Sequence, residues 1–98
     1  MTMLSTHVLD TGTGRPASGV PVRLLRGDET LAQGVTDADG RVGDLGEVAH
    51  GGYRLEFDTS AYSDFFPRVE IAFVISDDRH HHVPLLLGTF AYSTYRGS

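Results

Sequence analysis

Tyr53-Arg54-Leu55-Glu56-Phe57-Asp58 sets an apolar residue at each odd position and a charged one at each even position. Extended backbone points successive side chains to opposite faces, so this rhythm belongs to a strand with one face in a core and one in water. The same period of two returns in Val20, Val22 and Leu24 around Arg23, and in Val69, Ile71, Phe73 and Ile75 around Glu70. No window of about 11 residues sustains a helical stripe. Strands are expected near 4–10, 19–26, 30–35, 42–45, 52–58, 68–76, 80–87 and 90–96, divided by turn-forming clusters such as Gly12-Thr13-Gly14-Arg15-Pro16 and Asp37-Ala38-Asp39-Gly40. About eight short strands in 98 residues predict an all-β fold, a two-sheet antiparallel β-sandwich, as one domain over residues 1–98.

Composition narrows the function classes. Thirteen acidic against eight basic residues give a net charge of −5, which argues against a nucleic-acid partner, since that would need a basic stripe. The absence of cysteine removes disulfides and thiolate chemistry and fits a reducing compartment. Neither a signal peptide nor a membrane span is legible, so a cytoplasmic address and no membrane partner are expected.

The strand 80–87 has a different character. Pro84-Leu85-Leu86-Leu87 is apolar on both faces, as are Val8-Leu9 and Phe90-Ala91-Tyr92. A sandwich sheet meets its own core on one face only, so the second apolar face calls for another subunit or a ligand, and a homo-oligomer built on this sheet is expected. Alternation assigns His81, Val83, Leu85 and Leu87 to the core and His80, His82, Pro84 and Leu86 to the other face. In the first strand Leu4, Thr6 and Val8 take the core, leaving Ser5, His7 and Leu9 outward. Two histidines remote in sequence, His7 and His82, can therefore meet on one surface. The triplet His80-His81-His82 could equally be a solvated patch, but clean zinc spacing is missing, so no metal and no cofactor are expected. Asp37, Asp39 and Gly40 lack the terminal glutamate of a calcium loop, and no Gly-x-Ser-x-Gly elbow occurs. The last residues, Tyr95-Arg96-Gly97-Ser98, combine an aromatic ring, a guanidinium, a glycine and a hydroxyl, and read as the wall of a site.

Five segments in order, Leu4-Ser5-Thr6-His7-Val8-Leu9-Asp10, Gly14-Arg15-Pro16-Ala17, Thr36-Asp37-Ala38-Asp39-Gly40-Arg41, His82-Val83-Pro84-Leu85-Leu86-Leu87 and Tyr92-Ser93-Thr94-Tyr95-Arg96-Gly97-Ser98, resemble the signatures of the 5-hydroxyisourate hydrolases, transthyretin-related enzymes of urate breakdown. The resemblance covers nearly the whole chain. It implies a prealbumin-like sandwich, a homotetramer arranged as a dimer of dimers, and active sites near the mouths of a central channel. It also implies hydrolytic opening of 5-hydroxyisourate to the ureidoimidazoline product. Transthyretin, the carrier relative, lacks the set formed here by His7, Arg41, His82 and the Tyr95–Ser98 tail.

On this resemblance the catalytic residues are His7, Arg41, His82 and Ser98, and the substrate-binding residues are His7, Arg41, Tyr95, Arg96 and Gly97. Neutral imidazoles suit proton transfer to and from water and the leaving nitrogen. A permanently charged, planar guanidinium suits an oxygen-rich anion and a developing oxyanion. For Arg96 a salt bridge fixing the tail is the stronger expectation than steering. The chain departs from the family pattern after Tyr62: the family carries a short helix and loop there, whereas here Ser63-Asp64 leads almost directly to Phe65-Phe66-Pro67, so that helix is expected to be missing. Two alternatives remain: a transthyretin-like small-ligand binding protein without catalysis, and an interaction module of the sandwich type. The first conflicts with burying two histidines and an arginine in an apolar carrier channel.

Overall fold

The structure, a computed structural model, describes residues 1–97. Ten strands appear among them: β1 (Thr2–Asp10), β2 (Arg15–Pro16), β3 (Pro21–Arg26), β4 (Glu29–Val35), β5 (Arg41–Val42), β6 (Glu47–Val48), β7 (Gly51–Asp58), β8 (Arg68–Ile75), β9 (His81–Leu87) and β10 (Tyr92–Thr94). One sheet runs β4-β3-β7-β8 and the other β10-β9-β1-β2, with β5 and β6 also pairing along β1. This is the expected two-sheet sandwich. Its ladders are antiparallel except one: β1 and β9 run parallel, aligning Ser5 with His82 and His7 with Pro84.

The alternating strands make the first sheet. Val22, Leu24, Leu55, Phe57, Val69 and Ile75 are buried between the sheets. The charged residues between them pair across the outer face, Arg23 with Glu56 at 2.6 Å and Arg54 with Glu56 at 3.4 Å. Leu4, Thr6 and Val8 from β1 and His81, Val83, Leu85 and Leu87 from β9 close the core from the other side, as alternation assigns them. On the opposite face Pro84 is also buried, while Leu9 and Leu86 are half-buried.

Two expected strands contract. The run expected at 42–45 is only Arg41–Val42, because the chain then turns so that Leu45 N donates to the Leu4 carbonyl and Leu45 enters the core. The run expected at 90–96 is Tyr92–Thr94, followed by a single antiparallel bridge between Gly97 and His82. The segment after Tyr62 forms no helix and is held by side chains: Ser63 Oγ donates to the Thr89 carbonyl at 2.6 Å and accepts from Phe66 N at 3.0 Å, while Tyr62 Oη donates to the Ser18 carbonyl at 2.8 Å. Those bonds take over the anchoring that a helix would otherwise provide.

Candidate active site

Register alone brings the polar residues together. In the antiparallel ladder of β1 and β5, His7 is opposite Arg41. In the parallel ladder of β1 and β9, Ser5 is opposite His82. Ser5 and His7 share a face of β1, so Arg41, His7, Ser5 and His82 form one patch across three strands.

Arg41 is delivered by a tight loop. Asp37 Oδ1 accepts from the backbone N–H groups of Asp39 at 2.9 Å and Arg41 at 3.0 Å, and Asp37 N donates to the Arg41 carbonyl at 3.0 Å. Gly40 turns the chain with φ +74°, and its carbonyl accepts from Val8 N at 2.7 Å. A side chain at Gly40 would collide with the Val8 carbonyl as well as adopt a left-handed conformation, so only glycine docks the loop this closely against β1. Of the two aspartates that superficially suggest a calcium loop, Asp37 spends a carboxylate oxygen on this turn.

The resulting cleft has a volume of about 400 Å3 and is lined by Ser5, Thr6, Arg41, Gly43, His80 and His82. Hollows of about 550 Å3 beside Met1 and Tyr53 and about 450 Å3 beside Arg23 and Glu56 are larger, yet neither contains an imidazole. Chemistry therefore selects the smaller one. Ser5 Oγ lies 2.7 Å from His80 Nε2 and 2.8 Å from His82 Nδ1. Burial pushes the His82 imidazole below its ordinary pKa, and the Arg41 guanidinium, joined by His7 and His80 whenever they carry a second proton, pushes it further the same way. His82 is consequently a neutral imidazole at pH 7, able to accept a proton. Among the described residues the Arg41 guanidinium has no carboxylate partner.

The tail closes one wall. Gly97 N donates to the His82 carbonyl at 2.7 Å, and a Cβ at Gly97 would stand 2.7 Å from His82 Cδ2. Glycine is thus required by contact with the imidazole. Arg96 pairs with Asp77 at 3.2 Å, a salt bridge of the kind expected to fix the tail. Arg79, and then Arg96, hold the Asp77 carboxyl far below the usual carboxylate range. Tyr95 is not brought to the cleft. It is 57% exposed and borders an apolar groove with Ile71, Phe73, Val83 and Arg96. Ser98 lies outside the described residues.

The three successive histidines have three environments. His81 is buried on the core face with Nδ1 2.7 Å from the Arg79 carbonyl, His82 lines the cleft, and His80 joins it through Ser5. Ser5 and His80 were not among the residues expected to act, although each sits two positions from a chosen histidine on the same face. Alternation could have flagged both; their mutual contact depends on the parallel register, which no local pattern encodes.

Comparison with known proteins identifies the family. The profile of the HIUase/Transthyretin family matches residues 4–97. The chain is 46% identical to the 5-hydroxyisourate hydrolase of Caulobacter vibrioides, covering all of both chains over 115 aligned positions, so the gaps fall to this shorter chain. It is 40% identical to the Mus musculus 5-hydroxyisourate hydrolase, covering 97% of this chain and 94% of the relative. Among solved structures, 5-hydroxyisourate hydrolase of Klebsiella pneumoniae superposes with a TM-score of 0.91 at 42% identity, covering all of both chains. Sea bream transthyretin in complex with thyroxine superposes with 0.86 at 32% identity, covering 96% of this chain and 93% of that one. With its polar cleft, its sandwich and these full-length matches, the chain belongs to the HIUase/Transthyretin family, as a member of its hydrolase branch.

Proposed function

We propose that this protein hydrolyses 5-hydroxyisourate to 2-oxo-4-hydroxy-4-carboxy-5-ureidoimidazoline in urate breakdown. The observation that carries the reading is a cleft in which a neutral imidazole, a second imidazole and a guanidinium converge with no carboxylate partner for the guanidinium among the described residues. That arrangement suits an anionic, oxygen-rich substrate and a water nucleophile. Arg41 holds the substrate and steadies the oxyanion as water adds to a ring carbonyl. The histidines take the proton from that water and return one to the ring nitrogen as the carbon–nitrogen bond breaks, so the ring opens with no net proton change on the enzyme. Gly97 admits the tail beside His82, Arg96 fixes the tail through Asp77, and Ser98 positions water or a histidine.

Homotetramer formation belongs to the same reading. Its support is exposed apolar surface beside the open edge strands: Phe90, Phe65, Phe66 and Tyr92 form a chain of rings with successive centroids 6.1, 4.8 and 5.1 Å apart, and Val74 on β8 is 69% exposed. Sedimentation at micromolar concentration is expected to give a tetramer, and a monomer would remove this part.

The deciding experiment generates 5-hydroxyisourate from urate in situ and follows its ultraviolet decay with and without the protein. Acceleration over the spontaneous reaction is expected. Saturable binding without acceleration would establish the carrier alternative instead.

A further inference from the structure

The Ser5 hydroxyl holds one proton and stands between two imidazole nitrogens, His80 Nε2 at 2.7 Å and His82 Nδ1 at 2.8 Å. Among the described residues Ser5 Oγ has no other hydrogen-bond partner, and Ser5 is only 7% exposed, so water competes little for the bridge. A hydroxyl can donate to one ring while accepting from the other. The two tautomers are therefore coupled. If His80 Nε2–H donates to Ser5, Ser5 donates to His82 Nδ1 and the His82 proton sits on Nε2. If His82 Nδ1–H donates to Ser5, Ser5 donates to His80 Nε2 and the His82 Nε2 lone pair is left free.

We propose that Ser5 and His80 act as positioning residues that hold His82 in the second state, with its proton on Nδ1 and a basic Nε2. This rests on the hydrolytic reading and deepens it. Catalytic histidines commonly have the far nitrogen fixed by a carboxylate or carbonyl. Here the partner is an uncharged hydroxyl backed by an imidazole. A carboxylate in that place would favour imidazolium and fill the role of base with an already protonated ring. The hydroxyl fixes the tautomer and the ring plane without adding charge, which keeps His82 neutral beside Arg41 and His7. The exposed His80 ring can keep its own proton on Nδ1, where water solvates it, and so present Nε2 as the acceptor that the chain of bonds needs.

The test is the tautomer of His82, read by long-range proton–nitrogen NMR at neutral pH on the intact protein, alongside steady-state kinetics. The unmodified protein is expected to show His82 protonated on Nδ1. Ser5→Ala and His80→Phe are each expected to move His82 toward the Nε2–H form and to lower kcat by roughly 10-fold or more with KM changed by less than about twofold, the size expected when a partner that orients an active group is lost. His80→Gln, whose amide oxygen can accept from Ser5 in the place of Nε2, is expected to keep the Nδ1–H form and most of the rate. His80 lies at the surface, so these variants fold, and a matching melting temperature checks Ser5→Ala. An unmodified protein with His82 protonated on Nε2, or a tautomer indifferent to both Ser5→Ala and His80→Phe, would overturn the proposal. Should the unmodified protein fail to speed 5-hydroxyisourate decay, the hydrolytic reading falls, and the spectrum still decides the bridge.

Discussion

The outer face of the β4-β3-β7-β8 sheet and the cleft on the β1-β9 sheet both gather charge on strands, and they treat it in opposite ways. On the outer face two carboxylates answer guanidiniums: Glu56 takes Arg23 and Arg54, and Glu70 takes Arg54 at 3.5 Å. In the cleft Arg41, His80 and His82 come together, with His7 beside Arg41 in the β1-β5 ladder and no carboxylate among the described partners, and burial first, then the neighbouring Arg41 charge, lowers the proton affinity of His82. Paired charge is what stability alone would select. A concentration of one sign raises the energy of the free protein and lowers that of a complex with an anion, so the contrast separates charge that holds the sandwich from charge that awaits a substrate.

The largest way to break the contrast is inside the cleft. Arg41→Ala or His82→Ala is expected to lower turnover of 5-hydroxyisourate by roughly 100-fold or more while the protein stays folded. A folded variant with near-normal turnover would return that residue to the class of structural charge. Gly97→Ala comes next: its Cβ would press on His82 Cδ2 and displace the ring, for an expected loss of about 10-fold or more in kcat with secondary structure unchanged by circular dichroism. An unaltered kcat would show that the ring does not need its present position.

The pH profiles sharpen the comparison because the two regions titrate in different windows. With its pKa below the ordinary 6.5, His82 remains a base at mildly acidic pH, so the acid limb of kcat/KM is expected below 6.5. The same shift acts on stability: the unfolded chain takes up a proton at this histidine before the folded one does, so folding weakens as pH falls below 6.5. Glu56 titrates lower. The hydrogen bond from Arg23 is the main cause of its depressed pKa, so its contribution is complete above the ordinary value of 4.5 and is lost as pH falls through the lower folded-state value. The smallest expected effect is that of Glu56→Gln, about 1 kcal/mol of stability by denaturant titration with kcat/KM unchanged. A loss of activity there would show that the outer face reaches the cleft.

Much of this is legible in the sequence. Strict alternation in 53–58 and 68–75 fixed which side chains enter the core, because a sheet with one wet face leaves that trace in every pair of residues. His81 and His82 were assigned to opposite faces on the same ground, and they occupy them. The two-residue strands β2 and β6 escaped notice, since so short a pairing has no periodicity to detect. The parallel direction of β1 against β9 was equally invisible. With it went the contact of Ser5 with His80 and His82, which depends on a strand pairing made across most of the chain. Tyr95 was chosen for its company in the tail, and it borders the apolar groove beside β8 because a strand that ends at Thr94 leaves it free of the His82 bridge.

That parallel pairing also has a consequence for how the protein comes into being. Ser5 and His82 are separated by 77 positions, so the ladder that joins them closes a loop of most of the chain. Contacts of such span are late and slow in folding, since the loop they close must first lose its freedom. A nascent chain on the ribosome would hold β1 with its parallel partner missing until synthesis is almost over. Recovery of hydrolysis after dilution from denaturant should therefore lag the recovery of the β7-β8 hairpin, making catalysis itself a clock for the final step of folding.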